Sequence, residues 1–133
     1  MKSYRILSNL VGFMLFVQVI LGGIGTLINN DFVNYHIYWG VASFAVLVVA
    51  TVYAVKELGT KSTLFRVGIA AIVDFIIQAG LGLSALFTHY DPTTVVVHLT
   101  NAFVLGVLVT YLISFADNAD KAAALSFAVA KPL

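Results

Sequence analysis

Four long apolar stretches dominate the sequence: residues 6–28, 35–55, 64–87 and 95–115, with Arg66 and Asp74 as their only charged side chains. Each is about 20 residues long, enough for an α-helix to cross a hydrocarbon core of about 30 Å with some tilt. The breaks between them are short and polar: Asn29-Asn30-Asp31, then Lys56-Glu57-Leu58-Gly59-Thr60-Lys61-Ser62, then Thr88-His89-Tyr90-Asp91-Pro92. Connections of that length force neighbouring helices to run antiparallel. A soluble alternative fails on charge. Only 10% of the residues are Asp, Glu, Lys or Arg, against about 25% in a soluble domain, too few to clothe a water-facing surface. The net charge of +1, without a dense basic stretch, argues against nucleic acid as a partner, because phosphate neutralisation needs gathered Lys and Arg. The absence of Cys excludes disulfides, iron–sulfur clusters, thiolate zinc sites and a cysteine nucleophile. The expectation is an all-α, integral membrane four-helix bundle over residues 1–115, with the lipid bilayer as its immediate partner, followed by a tail over residues 116–133.

All seven basic residues fall in three segments that share one side of such a bundle: Lys2 and Arg5; Lys56, Lys61 and Arg66; Lys121 and Lys131. By the positive-inside rule both termini and the middle loop are expected in the cytoplasm of a cell bearing this protein in its plasma membrane, with loops 29–34 and 88–94 outside. Lys2 and Arg5 ahead of the first stretch resemble the start of a secretory signal. Its apolar core exceeds the 7–15 residues of a signal, however, and no small-x-small cleavage site follows, so it reads as an uncleaved anchor. The tail is Ala-rich, and its apolar part, residues 122–130, is too short to span; a short interfacial or loosely ordered helix is expected there.

The second half of the chain echoes the first. Gln18-Val19-Ile20-Leu21-Gly22 matches Gln78-Ala79-Gly80-Leu81-Gly82, each followed thirteen residues after its Gln by an Asp, Asp31 and Asp91. His36 then opens the second stretch, and His98 opens the fourth with an offset of two residues. The pattern describes two pseudo-repeated transmembrane hairpins related by an axis along the membrane normal.

Polar groups inside a bilayer are costly and call for partners, so Gln18, His36, Asp74, Gln78 and His98 are the candidate functional residues, with His89 in an outer loop. His36 and His98 lie at a common depth on the second and fourth helices. Two imidazoles facing each other across a bundle are what a six-coordinate heme iron takes as axial ligands; the alternative is that each His caps its helix at the water interface. Gly22, Gly23, Gly40, Gly80, Gly82, Ala102 and Gly106 would admit a flat ligand, or simply let helices pack, as small-xxx-small pairs such as Gly22/Thr26 and Gly80/Ser84 do. Gln18 and Gln78 suit either a place beside a cofactor or a hydrogen bond between helices. Asp74, one turn before Gln78, needs a hydrogen-bond partner at mid-membrane, with a proton relay as the alternative role. Heme propionates would find Asn29, Asn30, Tyr35, Tyr38, His89, Tyr90, Thr93 and Thr94 as donors on that side, and no Lys or Arg.

The ordered set of Gln18-Val19-Ile20-Leu21-Gly22-Gly23, His36, Gln78-Ala79-Gly80-Leu81-Gly82 and His98-Leu99-Thr100-Asn101-Ala102 resembles the heme A synthase family over roughly residues 10–112, one four-helix half of it. The resemblance implies His36 and His98 as axial ligands of one heme (b-type, or heme O or A), with Gln18 and Gln78 around it. It also implies an oxidoreductase that converts a methyl group of heme O to a formyl group. The chain departs from the family at Thr26, where an Arg is usual, at Val33, where a Glu is usual, and in lacking a Cys pair. In the family it resembles, that Glu is tied to methyl oxidation rather than to heme binding. A noncatalytic b-type heme subunit that carries electrons in a respiratory oxidase complex therefore stands beside the synthase reading, and a heme-free packing or assembly subunit is the third. Because one half supplies one His pair, the synthase reading requires a homo-oligomer or a partner subunit.

Overall fold

The structure, a computed structural model, describes residues 2–29 and 31–129; Met1, Asn30 and residues 130–133, Lys131 among them, lie outside the described residues. Four helices follow one another: α1 (Ser3–Leu27), α2 (Asp31–Leu58), α3 (Thr63–Phe87) and α4 (Pro92–Val129), with no strand among the described residues. The breaks in the apolar pattern carry the capping chemistry. The backbone N–H groups of Ile28 and Asn29 both close α1 on the Ile24 carbonyl, at 2.9 and 3.0 Å. Gly59, at φ +82°, ends α2 in a left-handed conformation that glycine adopts without strain. The Ser62 side chain caps α3 by accepting the Phe65 N–H at 3.2 Å. The Asp91 carboxylate accepts from Thr93 and Thr94 at the start of α4, where Pro92 needs no N–H partner.

The four spans stand where the apolar stretches put them, and the helices are longer than those stretches. Asp31 and Asp91–Pro92 are polar, so hydropathy ends a span before them. As helix starters they place residues 31–34 in α2 and 92–94 in α4 rather than in loops. Residues 116–129 continue α4 without a break. Arg5 of α1 holds the beginning of that continuation, pairing with Asp117 and, at 2.8 Å, with Asp120. The Lys2 backbone N–H donates to Asp120 as well, at 3.0 Å.

Each hairpin packs its own helices together, α1 on α2 and α3 on α4, and the hairpins join through α2 on α3 and α1 on α4. The two diagonal pairs keep their backbones apart. A buried cluster of Tyr4, Val11, Leu47, Ala50, Ala54, Leu64, Ala71, Phe75, Leu105, Val109, Leu112 and Ala116 fills the end of the bundle that carries Arg5 and Arg66. Its many alanines bring the backbones close, and Gly68 goes further, since a Cβ there would lie 2.6 Å from Thr51 Oγ1. The outward faces are apolar: Phe16 is 66% exposed and Phe103 74%, with Phe13, Val73 and Ile76 also exposed. A surface this apolar has no place in water. Four helices of this length and composition make the chain a multi-pass membrane protein.

Candidate functional site

At the opposite end of the bundle the interior turns polar. His36 stands near the start of α2 and His98 near the start of α4, and each leans against the odd-numbered helix of its own hairpin. The Gln-x-x-Leu-Gly motif explains the seat, because Gln and Gly four residues apart share one helix face. A Cβ on Gly22 would lie 2.9 Å from His36 Cε1, and a Cβ on Gly82 would lie 2.9 Å from His98 Cε1. Any side chain at either position would meet the imidazole. One turn away, Gln18 Nε2 lies 3.3 Å from His36 Nε2, and Gln78 Nε2 lies 3.3 Å from His98 Nε2. The two hairpins thus repeat the same contact, as the sequence repeat requires. Gly40 completes the first seat by leaving room for the Gln18 amide, whose Nε2 would be 2.8 Å from a Cβ at that position.

The hydrogen bonds fix which nitrogen of His36 carries the proton. Its Nδ1 lies 2.9 Å from the Gln18 carbonyl, which can only accept, so Nδ1–H is the donor and Nε2 bears the lone pair. The Gln18 amide then donates to Nε2. His98 Nδ1 faces the Gln78 carbonyl but closes no hydrogen bond to it. The rings of His36 and His98, carried by diagonal helices, approach to 6.4 Å between centroids with their planes at 75°.

The hairpins differ one turn deeper. Asn101 Nδ2 donates to Gln78 Oε1 at 3.0 Å and also faces Asp74, whose Oδ2 is buried without a partner among the described residues. With offsets of 60 and 62 residues, the first-hairpin counterparts of Asp74 and Asn101 are Met14 and Trp39, and the Trp39 indole N–H donates to the Met14 carbonyl at 2.8 Å. Asn101 and Trp39 were not singled out from sequence. The available signal was their place three residues beyond each His, on the same helix face.

Several candidates stand apart from the pair. His89 is exposed at the C-terminal turn of α3, with φ 51°, and belongs to that turn. Gly23, Gly80 and Gly106 face open space, so of the candidate glycines Gly22, Gly40 and Gly82 are the ones that meet His or Gln. Thr26 bonds back to the Gly22 carbonyl, and Val33 packs on Gly25; neither supplies the charge that the family resemblance leads one to expect there. No group of three or more His, Cys, Asp or Glu gathers among the described residues. His36 and His98 are the two imidazoles that converge at this end of the bundle. No protein-family model, curated protein or solved structure matches the chain.

Proposed function

We propose that this protein is a membrane hemoprotein in which His36 and His98 ligate one heme from opposite sides. The observation that carries the reading is the 6.4 Å between ring centroids. The donor set agrees with it: the Nδ1–H to carbonyl bond of His36 is the usual way a ligating imidazole is oriented, leaving Nε2 for the metal. Bound heme would supply reversible one-electron transfer at that depth. Gln18 and Gln78 would give up the imidazole lone pairs and keep their places beside the group.

Electron carriage is favoured over oxidation of a heme O methyl group, because the side chain at position 33 is a valine packed on Gly25. The family-like oxidoreductase remains the alternative. Either activity needs an electron donor and acceptor, so a respiratory membrane complex or a homo-oligomer is the proposed setting. The distribution of Lys and Arg supports an orientation with the Arg5 end in the cytoplasm and the histidine pair toward the outer face. Purification with heme present, followed by pyridine hemochrome analysis of the wild type, His36→Ala and His98→Ala, tests the proposal; a heme-free wild type overturns it. A second reading, a heme-free packing subunit, draws on the Gln amides that already lie within 3.3 Å of Nε2 of both imidazoles.

A further inference from the structure

Building on the heme reading, we propose that Asp74 takes up a proton when an electron is added at the histidine pair, so that this end of the bundle carries electron and proton together. Asp74 stands midway along α3, one turn before Gln78 and on the same face. Its Oδ2 is buried without a partner among the described residues. Both α2 and α4 pack against α3. The polar group that faces Asp74 is Asn101 of α4, and no charged or titratable side chain of either helix stands against it among the described residues. The repeat shows that the fold itself does not require an acid there. The first hairpin has Met14 at the corresponding place, and Trp39 closes on the Met14 carbonyl at 2.8 Å.

A run of contacts joins this carboxyl to His98. One N–H of Asn101 donates to Gln78 Oε1 at 3.0 Å, which leaves the other for Asp74. Gln78 Nε2 in turn lies 3.3 Å from His98 Nε2. Four residues along a helix are about 6 Å, so Asp74 is one turn from the side chain that meets the imidazole. Buried charges are screened far less than exposed ones, and a carboxylate at mid-membrane has little to offset its charge. At an effective dielectric constant of about 20, unit charges about 10 Å apart change each other's binding about tenfold. Negative charge arriving at the pair is therefore offset by a proton arriving at Asp74, and by linkage the proton strengthens electron binding by the same factor. The step balances: a one-electron donor supplies the electron, the aqueous phase supplies the proton, and one O–H bond forms on the carboxylate. The coupling is electrostatic and needs no proton transfer through the amides.

The test is a redox titration of the heme-loaded full chain in phosphatidylcholine nanodiscs at a series of pH values, with reduced-minus-oxidised infrared spectra of the same samples. In the wild type the electron affinity should fall about tenfold as pH rises through the titration of Asp74, and reduction should bring in a carboxylic acid C=O band. Asp74→Asn should remove both effects while keeping the low-spin visible spectrum, and Asp74→Glu should retain them. Comparison with Asp74→Asn also removes the titration of the heme's own carboxylates, which both chains share. Asp74→Met, with the residue of the first hairpin, takes the place of Asp74→Asn where that variant loses heme. Glu57→Gln, at the opposite end of the bundle, should keep the wild-type dependence. Equal pH dependence in the wild type and Asp74→Asn, or a wild-type difference spectrum without the carboxylic acid band, would overturn the assignment and leave the heme proposal standing. A heme-free wild type would refute both.

Discussion

Replacing Gly22 or Gly82 by alanine sets a methyl group against an imidazole, whereas the same change at Gly23 or Gly80 meets nothing within 4 Å. At Gly22 the added Cβ falls 2.9 Å from His36 Cε1 and 3.0 Å from Nδ1; at Gly82 it falls 2.9 Å from His98 Cε1 and 3.4 Å from Nδ1. Ordinary contact begins near 3.4 Å, so each ring must retreat by about 0.5 Å, and overpacking of this kind costs about 1–3 kcal/mol. The His36 ring is the less free to move, because its Nδ1–H is held by the Gln18 carbonyl. Alanine's helix preference over glycine offsets about 0.5–1 kcal/mol of that cost. The net expectation is a loss of about 0.5–2 kcal/mol at Gly22 and Gly82, with Gly22→Ala the costlier, and neutrality or a small gain at Gly23 and Gly80. Reversible unfolding in mixed micelles, read as the midpoint detergent fraction for the four variants, measures this directly. Equal midpoints for Gly22→Ala and Gly23→Ala would refute the claim that the imidazoles are seated on the motif glycines.

Other consequences lie outside the histidine pair. The Lys2 backbone N–H, and then the Arg5 guanidinium, hold the Asp120 carboxyl below the usual carboxylate range. A carboxyl held low adds stability above its unfolded value of about 4 and loses it as pH falls through the folded value. The melting temperature should therefore drop in acid more steeply in the wild type than in Asp120→Asn, and parallel profiles would count against the contact. His89 adopts φ 51° in the turn after α3, a conformation that costs a non-glycine residue about 1 kcal/mol. His89→Gly should raise the unfolding midpoint and leave any heme spectrum unaltered; a lost spectrum would return His89 to the site. Ser62→Ala removes the cap of α3 and should destabilise by about 1 kcal/mol, an effect that Ser62→Asp should avoid in the same unfolding assay.

The spans were legible because hydrocarbon thickness and apolar run length are the same constraint seen twice. Their ends were less so, since hydropathy counts Asp31, Asp91 and Pro92 as loop while the backbone uses them to begin helices. The contact of each His with its motif Gln and Gly was readable in outline: Gln18 and Gly22 share a face, and the repeat set His36 and His98 at one depth. Which glycines face inward was not, because Gly22 and Gly23 differ by the rotation of one residue and composition does not fix that angle. The tie of Arg5 to Asp117 and Asp120 also escaped, since it joins residues more than 110 positions apart through a helix that outlasts its apolar stretch. The difference between Asp74–Asn101 and Met14–Trp39 emerged from the contacts of Asn101 and Trp39, although the offsets of the repeat were already in the sequence.

The proposal that two pseudo-equivalent histidines share one heme stands most directly on the visible spectrum of the purified chain, read together with pyridine extraction and repeated for His36→Ala and His98→Ala. One heme per chain with low-spin bands that each substitution removes is the predicted result. A wild type without a Soret band, or a low-spin spectrum that survives either substitution, would contradict it.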